Sequence, residues 1–458
     1  MKKLSTACWL AVLFCLTPRL LPAIEAGVSR MEITPRTGLK MAGFGGRVAG
    51  DVLDPLFVHA VVFRSGDKSV GFVVYDLIGP FGREVGDLLR RELLSRTGLD
   101  EVVFSATHTH SGPAINTGSG PERSQVLEEL PEHERLICEK TVEALVLACG
   151  SLGTVRIGSG LGTADLSYNR IRPRPDGSVE MVWANHEKVP MGPVDRTVGV
   201  VRIDDLQGKP VAVLVNYACH PVIHGKPDAN LMYSADFPGV LRREVEARLD
   251  GNPLCIFFQG ACGNLNPYYA HSVENPGPRL QEAGAELAGE VVRVAGQIET
   301  RPYSGESPLL CRITELDAPL RWDLDQWHAS AEDERARERI EKLAAGRDKL
   351  KLPLSVVLIT PEIGFVGLPG EFFVEYQQEL RKRSPVAFLL VCGYTNGSFG
   401  YFPDIASAAA GGYGANDYAT YAAVGTGEHL VVEALVDLQE MLGELRPVPA
   451  DPGKGYRY

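Results

Sequence analysis

The 458-residue sequence is poor in the features that hold small secreted domains together and in those that bind nucleic acid. Its nine cysteines are dispersed. Cys8 and Cys15 fall in the first apolar run, which leaves Cys138, Cys149, Cys219, Cys255, Cys262, Cys311 and Cys392. An odd, scattered set in a long chain is not a disulfide framework, so the fold must rest on a hydrophobic core, with several cysteines as small buried side chains. Positive charge is in deficit: 46 Lys and Arg against 58 Asp and Glu give a net charge of -12. That leaves no cationic surplus to displace phosphate counterions and excludes a nucleic-acid partner. No low-complexity block and no obvious repeat is visible, which argues against a solenoid. Beyond the N-terminal segment no apolar stretch is long enough to cross a bilayer.

What is present is ordinary for a soluble globular chain: 45% hydrophobic and 23% charged residues, in a length that suits one large domain or two intimately packed ones. Residues 1–26 carry Lys2 and Lys3, then an apolar run, then the small residues Ala23 and Ala26. This is the pattern of a signal peptide, with an uncleaved anchor as the alternative. Cys15 follows Leu13 and Phe14, which does not fit a lipidation site. An exported protein, periplasmic or secreted, is expected, with a domain over 27–445 and a tail over 446–458.

Along that domain, strand-like runs alternate with helical spacing. HAVVFRSG, SVGFVVYDLIG and EVVFSATHTH read as strands, and REVGDLLRRELLSRTG between the last two reads as a helix stopped by glycine. ELPEHERLICEKTVEALVLACG, FPGVLRREVEARLDG, a stretch from about Gln281 to Ala295, and the segment after Gly427 read as further helices. TVGVVRIDD, PVAVLVNYACHP, PLCIFFQGACGN, SVVLIT and AFLLVCG read as strands. The expectation is an α/β or mixed α+β domain of layered mixed sheets flanked by helices. Residues 322–350, with AEDERARERIEKLAAGRDK, read as a charged helical excursion on the surface. Gly43, Gly45 and Gly46 around Phe44 indicate tight turns and match no phosphate-binding spacing.

Four places could carry chemistry. In SATHTHSGP a strand runs into His108 and His110; on an extended chain, positions two apart share a face, so both imidazoles could enter one pocket as metal ligands. NYACHPVIHG places His220 before Pro221, whose ring restricts it, with His224 nearby. VGLPGEFF brings Glu371 to a strand–turn–helix junction, where a carboxylate is a helix cap or a metal ligand. GYTNGSFGYFP carries Tyr394 and Tyr401, either aromatic packing or phenols aimed at a metal or an oxyanion. Two histidines and a carboxylate form a common catalytic zinc set, in which the metal makes water nucleophilic and polarises a carbonyl.

These segments, in order with EITPRTGLKMAGFG, SYNR, SADFPG, QGACGN and NGSFGYFP, resemble the neutral, non-lysosomal ceramidases and their bacterial relatives over roughly residues 27–442. The resemblance implies a zinc-dependent amidase that cleaves the amide of a ceramide-like lipid or related acyl amide. It implies His108, His220, Glu371 and Tyr401 as zinc ligands, His110 as the proton-transfer group beside the metal, and Arg170 of SYNR with Tyr401 as oxyanion stabilisers. Tyr413 in GGYGA would line the site. The sequence departs from the family in two ways. Gly263, Asn264 and Leu265 replace a more polar turn that commonly carries an acidic residue, which leaves open a rebuilt loop or the loss of a second ion. The chain also ends without the family's long C-terminal β-sandwich, which weakens long-chain ceramide as the substrate. Another ester, lactone or peptide-like substrate stays open, as do a non-enzymatic exported binding protein, a serine or cysteine hydrolase built on Ser111, Cys219 or Cys262, and peripheral membrane contact.

Overall fold

The computed structural model describes residues 23–116, 126–226, 229–272, 276–303, 309–323, 349–416 and 419–445. The expected leader up to residue 22, residues 324–348 of the charged excursion expected over 322–350, and the tail over 446–458 lie outside the described residues, and Lys349 and Leu350 begin a strand.

One topology occurs three times. In the first unit, strands Ile24–Glu32, Phe57–Ser65 and Lys68–Tyr75 pair antiparallel; helix Arg83–Thr97 then crosses over to strand Glu101–Ala106, parallel to its predecessor, and helix Glu132–Gly150 follows. The second unit repeats the order with strands Gly153–Thr163, Thr197–Asp205 and Pro210–Tyr217, helix Phe237–Arg248, strand Leu254–Gln259 and helix Pro276–Gln297. The third does so with Leu310–Pro319, Lys349–Thr360 and Ile363–Gly367, helix Val374–Arg383, strand Phe388–Cys392 and, after the short helix Ile405–Ala410, helix Thr426–Met441. The sequence shows no repeat because the units share an order of elements and a burial pattern, not a string of residues.

Units one and two join edge to edge through the antiparallel pairs Glu25↔Thr154 and Ala26↔Gly153 into a nine-stranded sheet, and the third unit is a separate four-stranded sheet. The two sheets pack face to face. Phe63, Phe72, Ile256 and Phe258 of the first meet Val357, Phe365, Phe388 and Leu390 of the second, with the Phe72 and Phe365 rings 4.9 Å apart, edge to face. Along Phe57–Ser65, Val61 and Phe63 face this inner core, while Val58, Ala60 and Val62 face the helices outside. This period-two burial of both faces is why the strand reads as a continuous apolar run. Helices Arg83–Thr97 and Glu132–Gly150 cover one half of the large sheet, Phe237–Arg248 and Pro276–Gln297 the other, and Val374–Arg383 and Thr426–Met441 the outside of the small sheet. The expected layers of mixed sheets flanked by helices are thus present. Helix Arg83–Thr97 stops where the sequence placed its stop, at Gly98 with φ 67° and its N–H on the Leu94 carbonyl.

The first strand begins inside the stretch assigned to the leader. Ile24 and Ala26 are in the core, 0% and 2% exposed, Ile24 pairs with Ser65, and its N–H donates to the Tyr303 carbonyl at 3.0 Å. A cut after Ala26 would remove these contacts. A chain starting at Gly27 is expected to be less stable than one starting at Ala23 by about 3 kcal/mol or more. Chemical unfolding of the two checks this, and equal midpoints would refute it.

Candidate metal centre

All three units send loops from strand ends to one place. The strand Glu101–Ala106 ends before His108, so the extended chain assumed from the sequence does not reach the histidines. His108 instead adopts φ 68°, in the left-handed region. It is held there by its N–H on the Leu77 carbonyl at 2.9 Å, and Thr107 donates to Tyr75 at 2.8 Å. The turn still brings both rings together: His110 Nε2 lies 3.1 Å from His108 Nε2. From the second unit, the chain leaving Pro210–Tyr217 delivers His220, whose Nε2 is 3.1 Å from His108 Nε2. From the third, the turn after Ile363–Gly367 delivers Glu371, whose Oε2 lies 3.4 Å from His108 Nε2 and 3.3 Å from His220 Nε2.

The hydrogen bonds on the far sides of these rings fix what the near sides present. His108 Nδ1 lies 2.6 Å from the Ile78 carbonyl, and His220 Nδ1 lies 2.7 Å from the Cys262 carbonyl and 3.1 Å from that of Leu265. A carbonyl only accepts, so both Nδ1 atoms carry the proton and both Nε2 atoms present lone pairs. Two lone pairs facing each other at 3.1 Å, with the buried Glu371 Oε2 unbonded beside them, repel unless a cation lies between. Burial pushes the His220 imidazolium down to about 4, so a proton is a poor choice of cation. Burial raises the Glu371 carboxyl, and only positive charge at His108 and His220 lowers it well below the usual carboxylate range; with both rings neutral, a cation held between them would have to supply that charge. Ligands about 2.0–2.1 Å from a tetrahedral zinc lie roughly 3.3 Å apart, close to the spacings found here. His108, His110 and His220 form a group able to hold a metal ion, and these residues fit one.

His110 differs from the other two: its Nδ1 has no partner, so no carbonyl fixes its tautomer. Burial, with the neighbouring His108 and His220, pushes its imidazolium well below the ordinary value.

Tyr401 pairs with Glu371 in a two-residue parallel bridge, and its hydroxyl lies 3.2 Å from Arg170 Nη2. Arg170 is 4% exposed, also donates to the Gly263 carbonyl at 2.6 Å and to Asn266 Oδ1 at 3.3 Å, and lies over the rings of Trp183, Tyr401 and Tyr413. The departure at Gly263-Asn264-Leu265 proves to be a support for this site. A Cβ at Gly263 would come within 2.4 Å of the Glu371 carbonyl oxygen, while Asn264 caps Val374 N–H at 2.9 Å and donates to Glu375 at 2.9 Å. The sequence left Tyr394 undecided. Its ring stacks on His108 with centroids 3.9 Å apart, and its hydroxyl lies 3.1 Å from Cys262 Sγ.

The alternative nucleophiles fare worse. All seven cysteines of the domain are free, and burial pushes the Cys219 and Cys262 thiols up, away from thiolate. Ser111 does have a base, which the sequence did not show: its Oγ is 3.0 Å from His224 Nδ1. However, His224 Nε2 meets no carboxylate and both residues are buried, so no triad is formed. No helix of the described residues is long and apolar enough to cross a membrane.

No family model matches the chain, and no curated protein matches it. Solved structures do. One is a ceramidase described as complexed with C2, with a TM-score of 0.70 and 18% identity over 94% of this chain and 77% of that one. Another is the neutral ceramidase from Pseudomonas aeruginosa, with a TM-score of 0.68 and 19% identity over the same shares. The chain has the neutral ceramidase fold. The likeness is in backbone architecture.

Burial holds His224 neutral, with its pKa down at about 4. Between the ordinary histidine value and that one the unfolded chain binds a proton the folded chain refuses, so stability is full above about 6.5 and is lost as pH falls toward 4. This group alone is expected to cost roughly 3 kcal/mol between pH 7 and pH 4. The His224→Asn variant should show a shallower fall in unfolding free energy over that range, and parallel curves for variant and parent would refute the assignment.

Proposed function

We propose that this chain is a zinc-dependent hydrolase that cleaves the amide bond of an acyl amide. The observation that carries this reading is the pair of proton-bearing Nδ1 atoms on backbone carbonyls, which turns the His108 and His220 lone pairs toward each other beside an unbonded Glu371 oxygen. Carbonyl support of this kind fixes metal-binding imidazoles. The shared fold with ceramidases supports an amide-bearing substrate.

His108, His220 and Glu371 would hold the ion, with Tyr401 adjoining Glu371 as the fourth protein group. A zinc ion held there supplies a polarised carbonyl and a water that is nucleophilic near neutral pH. The remaining work falls to the chain. Hydrolysis adds the water oxygen to the carbonyl carbon, breaks the carbon–nitrogen bond and delivers a proton to the leaving nitrogen. His110 suits that transfer because burial keeps its ring uncharged and able to take up a proton, and its tautomer is free. The charge growing on the carbonyl oxygen faces Arg170 and the Tyr401 hydroxyl. Burial and the Glu371 charge keep the Tyr401 phenol protonated as a donor. Tyr394, stacked on His108, keeps that ring from rotating.

Purified protein is expected to carry about one zinc per chain, and the His108→Ala/His220→Ala double variant none. Chelation should abolish hydrolysis of a short-chain acyl amide, and added zinc should restore it. His110→Ala should keep the metal while losing about a hundredfold or more in kcat. No metal under zinc-replete conditions would overturn the reading and favour a binding protein. Full activity after chelation would favour a metal-free hydrolase.

A further inference from the structure

Of the three buried arginines among the described residues, Arg242 has a carboxylate partner, Arg170 has amide, carbonyl and phenol acceptors, and Arg47 has only backbone carbonyls, both on one nitrogen. Arg242 pairs with Asp76 at 2.6 Å and Arg381 with Asp195 at 2.5 Å. Arg47 is as buried, at 2% exposed, yet no carboxylate among the described residues pairs with it. Its Nη2 donates to the carbonyls of Ala42 and His110, while its Nε and Nη1 have no acceptor among the described residues. A buried guanidinium without a counter-charge costs several kcal/mol, and burial drags its pKa down to about 10. The cost is placed where it matters. Arg47 lies over Phe44, 5.0 Å from the ring centroid, and the Phe44 ring is 5.0 Å from that of His110. A third donor position, His224 Nε2, is also buried and unpartnered, and the Arg47 charge acts on both His224 and His110.

Gly43, Gly45 and Gly46 of the loop that carries Arg47 are exposed. Gly43 and Gly46 have φ of 84° and 85°, and the absence of side chains there lets this backbone shift at little steric cost. The Gly43 backbone lies against the His110 ring, where a Cβ would come within 2.5 Å of Nδ1.

From this geometry we infer that Arg47 is a specificity residue that receives an anionic group of the substrate, so that the preferred acyl amide carries a carboxylate on its amine side, as an N-acyl amino acid does. This rests on the acyl-amide reading above. A carboxylate supplies the missing counter-charge and accepts from free N–H groups, a charge-assisted contact that weakens sharply when either partner is neutral. A phosphate ester offers the same oxygens on a larger group, and is the second arm of the test.

The test compares N-lauroylglycine, N-lauroylethanolamine and N-lauroylethanolamine phosphate with zinc-loaded parent, Arg47→Gln and Arg47→Lys. The parent is expected to favour the carboxylate over the neutral alcohol by about tenfold to a hundredfold in kcat/KM. Arg47→Gln should collapse that ratio, mainly through KM, and Arg47→Lys should retain part of it. An equal loss on all three substrates, or no preference in the parent, would overturn the proposal, and a larger preference for the phosphate would overturn the carboxylate assignment. Calorimetric binding of N-lauroylglycine to the same folded proteins separates this from the amidase reading. Binding that weakens about tenfold in Arg47→Gln supports anion recognition even where no substrate is turned over; unchanged binding refutes it even where hydrolysis is robust.

Discussion

Everything in the site depends on one repulsive contact, the approach of two imidazole lone pairs in a buried setting. His108 and His220 are each 1% exposed, and their Nε2 atoms stand 3.1 Å apart. Neither ring escapes by turning, because the carbonyls of Ile78, Cys262 and Leu265 hold the opposite nitrogens and Tyr394 lies flat on His108. Folding spends part of its stability to build this arrangement, and a divalent cation bound only by the folded state would return it. The same contact explains why Glu371 belongs here. A carboxylate oxygen left without a hydrogen-bond donor inside a protein is costly, and it becomes favourable only next to positive charge.

The fold makes such a meeting possible by repetition. Each of the three units ends a strand at the same rim of the sheets, and each contributes one group to the cluster through the loop that follows: His108 from the first, His220 from the second, Glu371 from the third. The side chains from three units meet at the rim, as the Phe63, Phe72, Phe258 and Phe365 cluster joins the two sheets in the middle. The rigidity of that aromatic core fixes the distances at the rim, since a packed interior resists small displacements.

The strands, the helices and their layer arrangement were legible because both faces of the strands are buried, which leaves continuous apolar runs, and because helices such as Arg83–Thr97 carry an apolar stripe and a glycine stop. The candidate residues His108, His220 and Glu371 were legible for a related reason: a polar group directly after a buried strand has few places to go. What stayed hidden is what depends on long-range geometry. The left-handed turn at His108 is set by carbonyls on another loop. The base beside Ser111 lies 113 residues away. The role of Asn264 as a brace for the Glu371 turn needs both segments at once. The threefold order of elements is a property of pairing, which residues of similar polarity specify without resembling one another. Arg47 had a visible signal, an arginine closing a run of glycines, but its meaning is the lack of a partner, and a missing partner is visible only in three dimensions.

The charge distribution separates two tasks that the site must perform. The chain as a whole is acidic, with net charge -12, yet among the described residues the buried charges acting on the three histidines are the cations Arg170 and Arg47 and the anion Glu371. A divalent ion bound there would add to that excess and favour the arrival of something negative. Arg170 is held by three acceptors and sits among aromatic rings, which suits it to charge that develops at a fixed point during reaction. Arg47 is held through one nitrogen under a glycine loop, which suits it to charge that enters with a ligand. The loops after strand ends therefore hold the groups whose positions must not vary, and the glycine-rich loop holds the arginine proposed to meet a ligand.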